Sequence, residues 1–295
     1  MVAPKTISSR IANIIIYLLL ALSALTCLLP LLNTIAISFS DKAAAMSGKV
    51  FLWPINPTLA SYRAILEDQQ FFRSFWNSIV RVVVGGAINV VLTILMAYPL
   101  SKSPKYFPQK NIYMWFVVFC MLFNGGLIPT YLLIYNLHIM DTIWALVLPG
   151  AVPVFNVIIL MNFFKGIPDE LDEAARIDGA NPWTIMIRIF VPLAIPSIAT
   201  ITLFSIVGHW NAFFDGMIYM NTRAKVPLQT YLQSLVVEIR DTTGMTPDEI
   251  KRMNEMSSRT FNAAKVFVAM VPVLVVYPFL QKYFVSGLVM GSVKG

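Results

Sequence analysis

Several polar and aromatic side chains suited to ligand binding occur inside one long apolar stretch of this chain. They are His209, Trp210, Asn211 and Phe213. Aromatic faces stack on the C–H surfaces of sugars and amides hydrogen-bond to hydroxyls, so this mixture suits a polyhydroxylated ligand. Helix-to-helix hydrogen bonding, or an aromatic belt at the membrane interface, explains the same residues equally well. A lone histidine here is more often a packing residue than a ligand. The residues predicted to contact a substrate on its way through the protein, called the substrate pathway below, are therefore Trp210, Asn211 and Phe213.

Two amides and two charges occur in or beside the other apolar stretches. Asn124 and Asn156 lie within such stretches, and an amide is costly in lipid unless it is paired or faces a cavity. We therefore add both residues to the predicted substrate pathway. Arg81 and Asp215 lie near the ends of apolar stretches, where long charged side chains can reach the headgroups, so we interpret them as interfacial.

The chain contains no pattern suited to covalent catalysis. It has neither H-E-x-x-H nor G-x-S-x-G, and its two histidines are distant in sequence. It has no G-x-x-x-x-G-K-[ST] phosphate loop, so any nucleotide must be bound by another polypeptide. Cys27 and Cys120 are interpreted as small buried hydrophobic residues, not as a disulfide or metal ligands. We therefore predict neither an enzyme nor a metal site.

One acidic segment, residues 169–192, interrupts the apolar pattern and reads DELDEAARIDGANPWTIMIRIFVP. Pro168 and the carboxylates after it predict the start of a helix, because negative charge is favourable at the positive end of the helix dipole. Gly179 suits the left-handed conformation that ends a helix, and Asn181 with Pro182 predicts the cap of a second helix. The segment is thus predicted to form a bent pair of short helices.

This bent pair carries a surface that suits docking. Leu171, Ala174, Ala175 and Asp178 fall on one side at helical spacing, and the two alanines leave that side almost flat. A connector between antiparallel spans needs far fewer residues, and helices that lie on lipid headgroups favour Lys and Arg. We therefore expect another protein to bind here.

A membrane-embedded scaffold must position these residues. The chain is 57% hydrophobic and 13% charged, and its mean hydropathy of +0.70 exceeds what a soluble domain tolerates. A helix of about 20 residues crosses the hydrocarbon layer, so the predicted fold is all-α, with six transmembrane helices in one membrane domain, residues 1–295. The predicted spans are residues 11–38, 76–101, 111–135, 142–164, 189–215 and 262–284, with the docking loop at 165–192 and an outer loop at 219–261.

Positive charges indicate how the scaffold is oriented. Lys102, Lys105 and Lys110 crowd the link between the second and third spans, whereas the next link has only Asp141. By the positive-inside rule, the first of these links, both termini and the docking loop are cytoplasmic. Lys265, near the start of the sixth span, is expected to snorkel towards the interface. The topology accounts for most of the net charge of +7, so we predict no nucleic-acid binding.

The docking loop resembles a known motif, E-A-A-x3-G-x9-I-x-L-P, the EAA loop of the membrane subunits of ABC importers. The matching residues are Glu173, Ala174, Ala175, Gly179, Ile189 and Pro192. Only Val191 departs, and it replaces Leu conservatively. The chain resembles carbohydrate permeases of this class over nearly its whole length, in particular the shorter membrane subunit of the maltose system. Further similar stretches are GGLIPTYLL at 125–133 and GHWNAFFDGMIYMN at 208–221.

The resemblance implies a bacterial inner-membrane importer with two ATPase subunits, a second homologous permease subunit and an extracytoplasmic solute-binding protein. The second permease subunit is expected to be a different chain. ATP and Mg²⁺ would be bound by the ATPase subunits, and this chain would bind no cofactor. The residues that the resemblance assigns to ATPase coupling are Glu173, Ala174, Ala175, Asp178, Gly179 and Pro192.

The expected cargo is a carbohydrate, because the same stretches resemble those of permeases for complex or uronate-containing oligosaccharides, including aldouronates and alginate, with alginate foremost. Two alternatives stay open, an ion-coupled secondary carrier and an ABC permease for a non-sugar solute. A secondary carrier usually shows paired repeats and a carboxylate in mid-membrane, and this sequence shows neither. An export permease is disfavoured, because the EAA loop is associated with importers.

Overall fold

The computed structural model describes residues 7–238 and 259–292. The α-helices in this part of the chain are, in order, α1 (Ile7–Ser38), α2 (Lys42–Met46), α3 (Ala60–Glu67), α4 (Gln69–Ser101), α5 (Lys110–Leu122), α6 (Leu127–Asn136), α7 (Ile143–Val147), α8 (Val154–Lys165), α9 (Asp169–Ile177), α10 (Pro182–Ile185), α11 (Val191–Leu193), α12 (Ile195–Asn211), α13 (Phe214–Tyr219), α14 (Leu228–Glu238) and α15 (Arg259–Ser292). Leu148–Gly150 and Arg223–Lys225 form 3₁₀ turns, and Met186–Phe190 is π-helical. No β-strand occurs among the described residues, which confirms the all-α class.

Up to six membrane-crossing segments can be assembled from these helices. Three are single helices long and apolar enough to cross a membrane, namely Ser9–Ser38, Gln69–Ser101 and Arg259–Val276. The other three are pairs of shorter helices, bent by 108° between α5 and α6, by 48° before α8 and by 83° before α12. The described part of the chain therefore reaches six spans if each bent pair crosses the membrane once.

The predicted third, fourth and fifth spans are thus not continuous helices, and local residues explain the breaks. Gly126, between α5 and α6, has a φ of +94°, a conformation that side chains other than glycine rarely adopt. Pro153 directly precedes α8. Pro192 and Pro196 flank the break at Ala194, and neither proline can donate a hydrogen bond to the helix ladder. The composition of an apolar stretch does not reveal such bends.

Both cysteines lie on exposed helix surfaces. Cys27 on α1 and Cys120 on α5 are exposed, so the prediction that they are buried is wrong. The large apolar side chains around them are exposed as well, as expected of helix faces that contact lipid.

The chain divides into two compact units, of which the first comprises Met1–Gln69 and Leu235–Met270. A small core forms where the end of α1 meets the loop that follows it. The buried residues of this core are Ala36, Ile37, Ala45 and Val50. Lys265 does not snorkel as predicted, because it is fully buried and its Nζ donates to Asp68 Oδ2 at 2.7 Å.

The second unit comprises Gln70–Ser234 and Val271–Gly295. Its core lies around α8, which packs against α5 and α12. Tyr98, Phe164 and Phe190 meet edge to face in this core, with ring centroids between 5.2 and 6.4 Å apart. These rings join the end of α4 to the segment before α11 and so position the docking loop. Because the chain divides into two compact units, the single membrane domain predicted for residues 1–295 stays a prediction.

The predicted outer loop is described in part, because residues 239–258 lie outside the described residues. Asp141 anchors the first part of this outer loop, residues 221–225. The Asp141 carboxylate accepts hydrogen bonds from the backbone N–H of Asn221 and Thr222 at 3.0 Å, from the Thr222 hydroxyl at 2.6 Å and from Lys225 Nζ at 2.9 Å. Burial alone would raise the pKa of Asp141, but these hydrogen bonds outweigh it and hold that pKa below its ordinary value.

Candidate functional site

The bent helix pair of the docking loop forms as predicted. α9 begins at Asp169, directly after Pro168, and carries acidic residues in its first turn. Gly179 has a φ of +79°, the left-handed conformation that ends the helix. The Asn181 carboxamide oxygen accepts hydrogen bonds from the N–H and the hydroxyl of Thr184, at 2.8 and 3.0 Å, and so caps α10. Local residues therefore determine the bend.

The outer face of this pair is an exposed surface of small and apolar side chains. Ile177 is 87% exposed and Trp183 is 62% exposed, although both are large hydrophobic residues. Such a patch marks a contact with protein or membrane. Ala175 packs partly against the core of its own chain, so it adds less to the flat surface than the sequence indicated. The predicted coupling residues that are exposed are Glu173, Ala174, Asp178, Gly179 and Pro192.

The inner face of the pair holds a buried charge cluster that sequence analysis missed. Asp172 Oδ1 lies 3.2 Å from Lys102 Nζ and forms an ion pair with it. Asp172 Oδ2 accepts a hydrogen bond from Arg176 Nε at 3.2 Å. Burial lowers the pKa of Lys102, and the Asp172 carboxylate opposes that shift. Nothing in the local sequence shows that the link after α4 packs against α9.

A second candidate site is a cavity of about 390 Å³ in the second unit. It lies among α4, α7, α8, α12 and α13 and so draws on the predicted second, fourth and fifth spans. Its volume suits a small polar ligand or one unit of a longer one. The polar lining residues are Arg81, Asn89, Asn156, Ser205, His209, Asp215 and Tyr219.

An ion pair between a buried arginine and a partly exposed aspartate crosses this cavity wall. Arg81 on α4 forms a two-pronged contact with the Asp215 carboxylate on α13, with 3.0 Å between Nη1 and Oδ1, and also donates to the Ala212 carbonyl at 3.3 Å. The Arg81 side chain is only 3% exposed. The interpretation of Arg81 and Asp215 as interfacial charges is therefore wrong, because α13 brings the carboxylate to the guanidinium and each charge neutralises the other.

A chain of hydrogen bonds continues along the cavity. Asn89 donates from Nδ2 to the carbonyls of Gly150 and Ala151 at 2.7 and 3.0 Å, which leaves Oδ1 as the acceptor for His209 Nε2 at 2.7 Å. The Nε2–H tautomer of His209 satisfies this contact. The His209 ring lies against Gly85, where a Cβ would be 2.5 Å from Nε2. His209 is thus a satisfied packing residue, as the sequence favoured, and it also lines the cavity.

Of the predicted substrate-pathway residues, Asn156 lines the cavity, and its Nδ2 lies 3.3 Å from Ser205 Oγ. Trp210 does not line it. Trp210 is 4% exposed and packs edge to face on Phe75, with the ring centroids 5.6 Å apart. The tryptophan ring is therefore not available to stack on a ligand in this structure.

Asn211, Phe213 and Asn124 are exposed and do not line the cavity either. Asn124 Oδ1 accepts a hydrogen bond from the Gly126 N–H at 2.9 Å, at the start of α6. The predicted cluster at 209–213 is split because successive helical residues point about 100° apart, so neighbours in sequence face different surroundings. The substrate-pathway role of these residues stays a prediction.

Residues 1–290 match the family described as the binding-protein-dependent transport system inner membrane component. The chain belongs to this family. It is therefore an integral inner-membrane transport component and not itself a catalyst. The match covers both the docking loop and the cavity.

Two relatives of this permease come from Bacillus subtilis (strain 168). The polygalacturonan/rhamnogalacturonan transport system permease protein YtcP is 41% identical over 293 residues, which cover 97% of this chain and 99% of the relative. Protein LplC is 41% identical over 268 residues, which cover 91% and 90%. In a crystal structure described as a bacterial ABC transporter involved in the import of the acidic polysaccharide alginate, one chain is 33% identical, with a TM-score of 0.84 and coverage of 95% and 98%.

Proposed function

We propose that this chain is the permease subunit of an ATP-driven importer that carries a uronate-containing oligosaccharide into the cytoplasm. The observation that carries the proposal is the likeness, over nearly the whole chain, to a permease named for polygalacturonan and to a transporter described as importing alginate. Both of these polymers bear carboxylates on a polyhydroxylated chain, so we take that shared chemistry as the cargo class. Alginate and galacturonan fragments are the two candidates.

The cavity lining suits a hydroxyl-rich cargo. In the proposal, Asn89, Asn156 and His209, which hydrogen-bond within the protein in this structure, exchange those bonds for sugar hydroxyls, and Tyr219 adds an aromatic surface. Arg81 is neutralised by Asp215, yet its Nε has no hydrogen-bond partner among the described residues. That nitrogen is buried, so the acidic character of the proposed cargo rests on the relatives and not on this cavity.

The docking loop supports coupling to a separate motor. In the proposal, the exposed face of α9 and α10 seats in an ATPase subunit, with Glu173 as the electrostatic contact, Ala174 as the close-packing floor and Gly179 as the bend. The complex would contain two ATPase subunits that bind ATP and Mg²⁺, a second homologous permease chain and an extracytoplasmic solute-binding protein. The loop and both termini would then be cytoplasmic.

The test is reconstitution of the complex that co-purifies with this chain, in proteoliposomes with its solute-binding protein. Alginate and galacturonan oligosaccharides should each be tested beside a neutral maltooligosaccharide and beside a non-sugar solute. We expect ATP hydrolysis and uptake to rise with at least one of the acidic oligosaccharides and not with the neutral one. Stimulation only by the neutral sugar or by the non-sugar solute would refute the proposed cargo, and uptake that follows an ion gradient without ATP would refute the importer.

A further inference from the structure

Lys102 is the first residue after α4, and its side chain is turned into the protein. The residue is 8% exposed. Its Nζ lies 3.6 Å from the centroid of the Phe190 ring and 4.2 Å from that of Tyr98. Aromatic faces attract a cation at distances up to about 6 Å. Lys102 therefore ties the end of α4 to the π-helical segment that precedes α11.

Asp172 supplies the negative charge opposite Lys102, from the inner side of α9. Asp172 is 2% exposed, whereas the side chain of its neighbour Glu173 is 54% exposed. Arg176, one turn later, bonds to the other carboxylate oxygen of Asp172 and lies 4.1 Å from the Tyr106 ring centroid. The buried Asp172 carboxylate thus attaches α9 to Lys102, while Arg176 of the same helix shares its charge.

Lys102 thus joins three elements, namely the end of α4, the π-helical segment Met186–Phe190 and α9. These elements must move together if α9 transmits force. We infer that the Lys102–Asp172 ion pair is the joint that passes a displacement of α9 to α4 and to the start of the predicted fifth span. The inference rests on the proposed function, because it takes α9 as the surface that the ATPase displaces. Separating the pair leaves the buried Lys102 ammonium without a carboxylate, although Asp172 keeps Arg176, so the joint resists opening. A neutral contact of similar size has only dispersion attraction and yields more easily.

The test compares Lys102→Met with Lys105→Met in the complete transporter. Met keeps most of the side-chain length and removes the charge. Lys105 is a matched control, because its side chain is 74% exposed and its Nζ lies 3.9 Å from Glu173 Oε1. We expect Lys102→Met to lower the sugar transported per ATP hydrolysed by about ten-fold or more, since a buried pair is lost. Lys105→Met should change this ratio by less than about two-fold, since exposed pairs contribute little.

A second readout does not depend on the cargo. Spin labels at Ile177→Cys on α9 and Leu95→Cys on α4 report the distance between the two helices by pulsed EPR, in a background without Cys27 and Cys120. Both positions are exposed, at 87% and 37%. With Lys102 present, we expect the same narrow distance distribution with and without ATP. With Lys102→Met, the distribution should broaden.

Conservative and compensating variants keep the test decisive. Lys102→Arg retains the cation and should keep both the transport ratio and the narrow distribution. If Lys102→Met does not assemble, the double variant Lys102→Met/Asp172→Leu removes both charges and should assemble yet stay uncoupled. Wild-type coupling together with a narrow distribution, in Lys102→Met or in the double variant, would refute the role of the Lys102–Asp172 pair as the joint. A narrow distribution in the labelled transporter with Lys102 present, together with an unlabelled parent complex that imports no oligosaccharide, would overturn the proposed function alone.

Discussion

Two neighbouring glycines in α4 meet different surroundings, and this difference allows a matched test of the cavity wall. A Cβ added at Gly85 would lie 2.5, 2.6 and 2.9 Å from Nε2, Cε1 and Cδ2 of His209, whereas a Cβ at Gly86 would meet nothing within 4 Å. Carbon atoms in contact lie about 3.5–4.0 Å apart, so Gly85→Ala must push the imidazole ring away by about 1 Å. That shift breaks the 2.7 Å hydrogen bond between His209 and Asn89.

The expected cost follows from these contacts. Leaving a buried polar group of Asn89 or His209 unpaired costs about 1–3 kcal/mol, and overpacking adds a cost of about 1 kcal/mol or more. Replacing glycine by alanine inside a helix stabilises the folded chain by about 0.5–1 kcal/mol. For Gly86→Ala, only this stabilisation applies, because its new methyl group meets no neighbour. The two variants should therefore differ in stability by about 2 kcal/mol or more, which corresponds to about 4–8 °C in melting midpoint.

The assay is the thermal midpoint of the purified chain in mild detergent, measured for both variants and for the parent. We expect Gly86→Ala to melt at or slightly above the parent, and Gly85→Ala several degrees below it. His209→Ala removes the ring that the new methyl group would strike, so Gly85→Ala should cost little in that background. Equal midpoints for the two glycine variants, or an undiminished cost of Gly85→Ala beside His209→Ala, would refute the cavity-wall reasoning.

Three other predictions concern the docking loop and two ion-pair sites. Glu173→Lys or Gly179→Pro should leave the protein inserted but abolish the rise of ATP hydrolysis with binding protein and cargo; a normal rise in the reconstituted complex contradicts the coupling role. Arg81→Met should destabilise the chain by about 1–2 kcal/mol, because the Asp215 carboxylate loses its partner but is partly exposed to water. Arg81→Met/Asp215→Leu should recover most of the lost midpoint, and no recovery means that the loss is not electrostatic. Because the folded pKa of Asp141 lies below its unfolded value of about 4, its stabilisation is complete above that pH and fades only below it. The midpoint gap between the parent and Asp141→Asn should thus be constant from about pH 8 to pH 5, and a gap that closes within this range contradicts the assignment.

The elements of the docking loop could be predicted from the sequence with nearly residue accuracy. The acidic first turn after Pro168, the left-handed Gly179 and the Asn181 cap all occur where the pattern indicated. These signals are local, because each cap or turn depends on residues within one helical turn of it. The six apolar stretches could be predicted for a similar reason, since crossing a bilayer requires only length and composition.

The bends and the polar contacts could not be predicted in the same way. Gly126 and Pro153 mark breaks in two predicted spans. The mean hydropathy of an apolar stretch gives no sign of such a break. Trp210 was favoured for ligand contact because of its neighbours in sequence, but its helical position turns it onto Phe75. A residue type indicates what a side chain can bind, and its surroundings decide what it does bind.

The sequence by itself determined that this is a membrane-embedded helical chain with a capped, bent helix pair exposed between its spans, because these properties follow from composition and local capping. Only the tertiary structure decided which polar groups meet. Arg81 and Asp215 are separated by 134 positions, and Asn89 and His209 by 120. The free energy of a buried polar group depends on the partner that the fold brings to it. That partner comes from a distant part of the chain, so no local pattern reveals it.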